Sequence, residues 1–193
     1  MIIDVRVERG GRGEDRALVR QTGGAVRIAV ADGAGGTGSG AQAAQRACEF
    51  VCAQAAHRSW VEHLEALDTL LLPQGGETTL VVVEIADGQV WGASVGDSGA
   101  WLVRSTDWID LTVGQRRKPL LGSGEARPVG FGPVMLDGQV LVATDGLFKY
   151  QSPQVICAHV RQSSAESLDA LINILRGARG ALPDDVALVC SRA

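Results

Sequence analysis

An alternating apolar run that ends in an acidic, glycine-rich turn constrains the fold of this chain more than any other feature. The run is Val26 to Val30, and the turn reads Asp32-Gly33-Ala34-Gly35-Gly36-Thr37-Gly38-Ser39-Gly40. A helical pattern starts near Ala41, so we predict a strand that passes into a helix, with a carboxylate at the end of the strand. Because glycines allow backbone to approach a ligand closely, such a turn suits either a phosphate cradle or a metal site.

The glycine spacing leaves a nucleotide-binding alternative open. Gly33, Gly35 and Gly38 have the G-x-G-x-x-G spacing of a dinucleotide-binding fingerprint. That fingerprint belongs to a short βαβ unit, whereas the helical pattern here runs towards Leu72 and the next strong strand is Thr78 to Ile85. A mononucleotide P-loop is not indicated, because no Gly-Lys-Ser/Thr follows the glycines. The second alternative is a flexible turn with no chemistry.

Length, charge and cysteine content narrow the class of protein. At 193 residues we expect one domain with a sizeable core. A formal net charge of -4 gives no basic footprint for nucleic acid. The sequence has no apolar run long enough to span a bilayer and no signal-peptide pattern at its start, so we expect a cytoplasmic protein that is not bound to a membrane. We also expect a monomer. The four cysteines have no metal-ligand spacing with histidine, so buried free thiols are predicted.

Apolar periodicity predicts a mixed α+β chain. The predicted strands are Ile2–Val7, Ala17–Arg20, Val26–Val30, Thr78–Ile85, Val90–Val95, Ala100–Val103, Gln139–Thr144 and a last strand within 183–190. The first predicted helix begins near Ala41. The other predicted helices cover Trp60–Leu72, Pro153–Arg161 and Ser164–Arg176. Tight glycine turns between the runs from Thr78 to Val103 indicate an antiparallel meander.

The segment from Ser105 to Gly138 is expected to be irregular, because glycines and prolines interrupt every long pattern in it. It contains the basic run Arg116-Arg117-Lys118. Such a run is typical of a solvated loop, or it faces an acidic or phosphorylated partner.

Acidic residues recur at predicted strand ends and turns. They are Glu14, Asp15, Asp32, Asp97, Asp145, Asp184 and Asp185. Any one of them alone is more often a turn former than a ligand. If the strands pair into stacked sheets, these ends converge on one rim, and clustered carboxylates stay ionised only with cations nearby. Oxygen-only ligation favours hard divalent ions such as Mg²⁺ or Mn²⁺.

The chain resembles the metal-dependent Ser/Thr protein phosphatases of the protein phosphatase 2C type. The matching segments, in the family's order, are Glu14-Asp15, Val30 to Gly36, Gly76 to Leu80, Ser94 to Ser98, Leu141 to Leu147 and Asp184 to Val189. The resemblance implies a four-layer αββα sandwich, with two antiparallel sheets packed face to face and helices outside. It also implies a single catalytic domain over residues 1–193, with a shortened flap region at about 105–138.

The resemblance implies hydrolysis of phosphoserine and phosphothreonine on proteins by a metal-activated water at a binuclear Mn²⁺ or Mg²⁺ centre. Asp32 would bridge the two ions, with the backbone carbonyl of Gly33 on one of them. Asp145 and Asp184 would complete the first metal site, so these three aspartates are the expected catalytic residues. The implied partner is a phosphorylated protein, with a cognate Ser/Thr kinase acting in opposition.

The remaining acids have weaker implied roles. Glu14 would serve the second ion, and Asp15 would act there directly or through water. Asp97 matches the position that is linked to a third, weaker metal in bacterial members.

Two departures from the family pattern concern the substrate. Ala34 stands where eukaryotic-type members carry a histidine, and Gly10 stands where members usually place a phosphate-binding arginine. We therefore expect Arg12 to hold the phosphate, with Arg9 as the alternative. These departures favour a second function, a catalytically weak or inactive phosphatase-fold module that binds a regulatory partner, while the intact acid set favours the enzyme.

Overall fold

A computed structural model of the chain describes residues 1–35, 39–55, 59–162 and 164–192. Gly36 and Gly38 of the glycine-rich turn, and the stretch 56–58 after the first helix, lie outside the described residues. The strands are β1 (Ile2–Glu8), β2 (Arg16–Thr22), β3 (Ala25–Ala31), β4 (Gly33–Ala34), β5 (Glu77–Thr78), β6 (Leu80–Ala86), β7 (Gln89–Val95), β8 (Gly99–Val103), β9 (Trp108–Asp110), β10 (Val129–Met135), β11 (Gln139–Ala143) and β12 (Val186–Arg192). The helices are α1 (Ser39–Ala53), α2 (Val61–Leu71), α3 (Asp145–Phe148), α4 (Pro153–Arg161) and α5 (Ala165–Arg176), with 3-10 turns at Leu72–Gln74 and Gly177–Arg179.

Two five-stranded antiparallel sheets form the centre of the fold. The first has the order β1-β12-β11-β8-β9, and the second has the order β10-β7-β6-β3-β2. Their facing sides share a core of fully buried aliphatic residues that includes Ile28, Val83, Leu102, Val142 and Val189. These positions alternate with residues that point to the outer faces, as a pleated strand requires.

Helices cover the outer face of each sheet. α1 packs on the second sheet through small residues such as Ala44 and Ala47, which let the helix approach closely, and α2 adds Leu64 and Leu67. The helices α3, α4 and α5 cover the first sheet. The predicted four-layer α+β sandwich is confirmed. Among the described helices, none combines the length and apolar character that a membrane crossing requires.

All four cysteines are free and buried, as predicted. Burial raises the pKa of the Cys52 thiol to about 11, with the neighbouring charges as smaller influences. These thiols therefore act as small apolar residues of the core.

The predicted meander from Thr78 to Val103 is wrong in its last strand. β6 and β7 pair in the second sheet, with Leu80 opposite Val95, but β8 joins the first sheet between β11 and β9. Because every residue of β8 is buried, its pattern does not reveal which sheet it enters. The turn Gly96-Asp97-Ser98 is thus a crossover between the two sheets.

The prediction of an irregular segment from Ser105 to Gly138 is also wrong in part, since β9 and β10 lie within it. β10 is the edge strand beside β7, and its register shifts between Phe131 and Val134. Pro133 lies in that shift, where a residue without an N–H is tolerated. The proline and glycines that concealed the strand in the sequence are the residues of this irregularity.

Candidate active site

Three of the predicted acidic residues line one cleft at the ends of strands. Asp32 follows β3, Asp97 follows β7 and Asp145 follows β11 at the start of α3. The cleft has a volume of about 130 Å³, and its other lining residues are Ala34, Thr79, Arg117, Lys118 and Leu120. The two sheets therefore bring together carboxylates that are far apart in the sequence, as the convergence of strand ends predicted.

Backbone and hydroxyl hydrogen bonds fix Asp32 at the mouth of this cleft. Its N–H donates to Thr79 Oγ1 at 2.9 Å, and its carbonyl accepts from the Thr79 N–H at 2.9 Å and the Thr78 hydroxyl at 3.0 Å. Thr79 Oγ1 is also 2.7 Å from Ser98 Oγ, beside Asp97. Since both threonines and Ser98 are buried, this network ties the Asp32 turn to the crossover that carries Asp97.

Glu14 and Asp15 are buried and do not line the cleft itself. Asp15 Oδ2 accepts a hydrogen bond of 2.7 Å from the hydroxyl of Thr144, which precedes Asp145. Glu14 Oε1 lies so close to Gly40, in the first turn of α1, that a Cβ there would be 2.8 Å away. A glycine at that position gives the carboxylate of Glu14 its space beside the start of the helix.

Asp185 organises the loop that carries Glu14. Its carboxylate accepts N–H groups from Gly10 at 2.9 Å, Gly11 at 2.6 Å, Gly13 at 2.6 Å and Glu14 at 3.0 Å. Burial alone would raise the pKa of Asp185, but these four bonds outweigh it and lower the pKa. The sequence marked Asp185 as one of the acids at a strand start, and the structure gives it a positioning role.

Its neighbour Asp184 faces solvent instead. The Asp184 side chain is 42% exposed, and its Oδ2 lies 3.7 Å from the Nζ of Lys149. The two adjacent aspartates thus differ: the Asp185 carboxylate is held by the loop backbone, whereas the partly exposed Asp184 carboxylate pairs with Lys149 and accepts the Asp185 N–H at 3.0 Å.

The acids around Asp32 perturb one another strongly. The pKa of Asp32 rises to about 8, first through burial and then through the charges of Asp15 and Asp145. The pKa of Asp15 rises to about 6 through burial, although hydrogen bonds from Thr144 and Asp32 oppose the rise. The pKa of Asp145 is raised by burial and by Asp97. The charge of Asp15 and its hydrogen bond with Asp32 thus both favour the neutral form of the Asp32 carboxyl group.

The chemistry of this donor set fits hard divalent cations. It consists of carboxylate oxygens whose ionised forms repel one another, so bound Mn²⁺ or Mg²⁺ would relieve the repulsion. Within the described parts of the chain, no three acidic, histidine or cysteine side chains are grouped closely enough to hold an ion as they stand. The carboxylates thus lie near one another and have the ligand chemistry that Mn²⁺ and Mg²⁺ prefer. The two-ion centre stays a prediction.

The predicted phosphate-binding residues lie on the loop before Glu14. A Cβ at Gly10 would be 2.1 Å from the carbonyl oxygen of Asp184, so no side chain fits there. Arg9 and Arg12 are exposed, and Arg9 Nε donates to the carbonyl of Gly11 at 3.3 Å. Arg9 lines a separate cavity of about 240 Å³ next to Asp15.

Asp68 is a functional candidate that the sequence analysis missed. It is buried on α2, and its carboxylate accepts N–H groups of Gly122 at 2.6 Å, Gly124 at 3.1 Å and Ala126 at 3.0 Å. It therefore fastens the loop before β10, which includes Leu120 of the cleft. The only signal in the sequence is an acid among the apolar positions of a helix.

Comparison with known proteins shows similarity at the level of structure. No protein-family model matches the chain, and no curated protein does. A bacterial serine phosphatase bearing an R161A mutation has a TM-score of 0.86 at 18% identity, over 99% of this chain and 97% of that one. The serine/threonine phosphatase of S. agalactiae has a TM-score of 0.82 at 20% identity, over 98% of both chains.

A third solved structure contains metal. The catalytic domain of the serine/threonine protein phosphatase PstP, in complex with two manganese ions, has a TM-score of 0.75 at 23% identity, over 98% of this chain and 96% of that one. The TM-scores establish the fold, and at these identities the similarity extends to the fold alone. This chain has the fold of the bacterial serine/threonine phosphatases.

Proposed function

We propose that this chain is a metal-dependent protein serine/threonine phosphatase that uses two Mn²⁺ or Mg²⁺ ions, with a third as an option. The observation that carries the proposal is the convergence of Asp32, Asp97 and Asp145 on one cleft, with Asp15 hydrogen-bonded to Asp32. Burial and mutual repulsion make this arrangement costly without cations. The solved PstP domain with its two manganese ions supports the same type of centre here.

Each acid has a proposed position in the centre. Asp32 would bridge the ions, with the Gly33 carbonyl on one of them, and Asp145 and Asp184 would complete the first site. The placement of Asp145 in the cleft and the 42% exposure of the Asp184 side chain leave both carboxylates accessible to a ligand.

The second and third sites would use the remaining acids. Glu14 would serve the second ion, and Asp15 would take part directly or through water, because its carboxylate lies within hydrogen-bond reach of Asp32. Asp97 would hold the third. When bound, such ions activate a water for attack at phosphorus and offset negative charge on the phosphate.

The chain's own residues position the site and limit its chemistry. The Thr79 hydroxyl and N–H hold the Asp32 backbone, and Thr144 orients Asp15. Ala34 lines the cleft but has no proton to give to a leaving alkoxide. A phosphorylated protein is the proposed partner, with a kinase in opposition.

The partner-binding alternative rests on one specific observation. Gly10 has no room for the arginine that related phosphatases place there, so the cleft lacks that phosphate ligand. A module of this kind would bind metal and a phosphorylated partner without turnover.

Metal binding and turnover measured together separate the two functions. We expect calorimetric titration with Mn²⁺ to give about two sites, and an aryl phosphate to be hydrolysed only when those sites are filled. Asp145→Asn should weaken both effects, whereas Asp87→Asn, on the exposed β6–β7 turn, should leave both unchanged. Metal binding without turnover on any phosphate ester would favour the partner-binding module, and no metal binding would overturn the proposal.

A further inference from the structure

We propose that Arg117 is the residue that binds the substrate phosphate in this chain. This inference rests on the proposed phosphatase function and deepens it. It assigns a role to Arg117 within the basic run of residues 116–118, for which the sequence left two interpretations, a solvated loop or a surface for a phosphorylated partner.

The position of Arg117 carries the inference. Arg117 and Lys118 line the cleft with Asp32, Asp97 and Asp145. The Nε of Arg117 lies 2.6 Å from Oδ2 of Asp97, yet 74% of its side chain is exposed. The guanidinium is therefore held at the rim of the cleft by one carboxylate, with most of its surface open to a ligand.

The loop that follows Arg117 is fastened to β5 and to α2. Leu121 is fully buried, and its N–H and carbonyl pair with the carbonyl and N–H of Thr78 at 3.1 and 3.0 Å. The next turn is held by the Asp68 carboxylate through Gly122. Because Thr78 also donates to the carbonyl of Asp32, the two sides of the cleft are joined through one residue.

The loop is fastened before Arg117 as well. Gln115 Oε1 accepts a hydrogen bond of 3.1 Å from the hydroxyl of buried Ser94, and the Gln115 N–H donates to Thr112 at 2.9 Å. Short anchored segments hold a side chain within a small volume, which lowers the entropy cost of binding.

The alternative cations are less well placed. No side chain fits at Gly10, and Arg9 lines a different cavity together with Asp15. Arg12 is on the same exposed loop as Arg9. Among the described residues that line the cleft, the basic side chains are Arg117 and Lys118.

The chemistry of a guanidinium matches a phosphate monoester. Its planar fork donates two parallel hydrogen bonds to phosphate oxygens, and its charge is constant at working pH. In the free protein the Asp97 carboxylate forms an ion pair with the Arg117 guanidinium. An arriving phosphate dianion competes with Asp97 for the N–H donors of that guanidinium. Lys118 adds a point charge beside it. Asp97 thus keeps the guanidinium near the cleft until the substrate phosphate binds it.

Steady-state kinetics of Arg117→Ala, Arg117→Lys and Arg12→Ala test the proposal, with Arg116→Ala as the matched control. Arg116 is adjacent and exposed but does not line the cleft. For Arg117→Ala we expect KM for a phosphothreonine peptide and Ki for inorganic phosphate to rise about tenfold, as for loss of a charged hydrogen bond. The kcat should change much less, Arg117→Lys should recover part of the loss, and the control should match the wild type.

The outcomes separate this inference from the function on which it rests. An active wild type whose KM and Ki are unaffected by Arg117→Ala overturns the inference and leaves the function standing, and a rise in Arg12→Ala would then give the role to Arg12. If the wild type hydrolyses no phosphate ester, the function fails. In that case calorimetric titration of the wild type and Arg117→Ala with inorganic phosphate in Mn²⁺ decides the inference, since equal affinities, or no binding by the wild type, would overturn it.

Discussion

The backbone N–H of Glu14 donates a hydrogen bond of 3.0 Å to the carboxylate of Asp185, 171 positions along the chain. The same carboxylate binds three glycine N–H groups of that loop. The first and last strands, β1 and β12, pair along their length, so they bring the loop and Asp185 together. Asp185 therefore sets where Glu14 and Asp15 lie relative to the cleft.

Replacing Asp185 with alanine should destabilise the protein by about 2–4 kcal/mol, because it leaves several backbone donors without a partner in a partly buried loop. Chemical denaturation measures this change. Asp107→Ala, which removes an exposed ion pair with Arg104, is the matched control and should cost less than about 0.5 kcal/mol. A loss for Asp185→Ala as small as that of the control would contradict the positioning role.

Replacing Asp68 with alanine should destabilise the protein by about 2–3 kcal/mol, because three backbone N–H groups lose their acceptor. The loop that carries Arg117 should also loosen, so KM for a phosphopeptide should rise more than kcat falls. Glu65→Ala, at an exposed position of α2, is the control for the helix itself. Full stability in Asp68→Ala would show that other contacts hold the loop.

Asp32→Asn should stabilise the metal-free protein while it removes activity. Burial and the charges of Asp15 and Asp145 raise the pKa of Asp32 from 3.8 to about 8. An acid whose pKa is higher in the folded state adds stability that is present below the unfolded value and is lost as pH rises through the folded one. Asparagine does not titrate, so the variant avoids this loss. The difference in free energy of unfolding between Asp32→Asn and the wild type should therefore grow between pH 4 and pH 8.

One pKa unit corresponds to about 1.4 kcal/mol, so the gain at pH 8 should exceed about 1 kcal/mol. Denaturation in chelator at pH 5 and pH 8 measures it. The control is Asp137→Asn, just before β11 at the end of that strand away from Asp145, where the carboxylate forms an exposed ion pair with Arg104. Equal stability of wild type and Asp32→Asn at pH 8 would mean that the Asp32 carboxylate is not strained in the free protein.

Divalent cations should stabilise the fold by mass action. At about 100 times the dissociation constant the expected gain is about 2.7 kcal/mol for one site, visible as a rise in Tm with Mn²⁺ or Mg²⁺. Asp145→Asn should reduce the rise, because that carboxylate is a proposed ligand of the first metal site. A Tm that does not respond to Mn²⁺ or to chelator would show that these acidic residues do not share a bound ion.

The sequence was sufficient to predict where the main carboxylates lie. Asp32 and Asp145 each follow a β-branched run and precede a glycine, and this local pattern places them at strand ends without knowledge of the fold. The helices were predictable for the same reason, since α1 repeats its small apolar residues with a helical period. Features that depend on residues close together in the chain were thus accessible.

Features that depend on contacts between residues far apart in the chain could not be predicted from the sequence. The sheet that receives β8 depends on its pairing with β11, about 40 residues later, and the buried residues of β8 fit either sheet. The role of Asp68 depends on backbone donors 54 to 58 residues away. Arg117 lies in a loop, outside any periodic pattern of apolar residues. Only its position beside Asp97 distinguishes it from an ordinary surface arginine.

The most direct test of the proposed function is the initial rate of phosphate release from a phosphothreonine peptide over a Mn²⁺ titration, in the wild type and in Asp32→Asn. We predict no release in chelator, a saturable rise with Mn²⁺ in the wild type, and a loss of at least 10²-fold in the variant, as expected when a group that stabilises the transition state is removed. Release that is independent of metal, or an Asp32→Asn variant with the wild-type rate, would contradict the two-ion phosphatase.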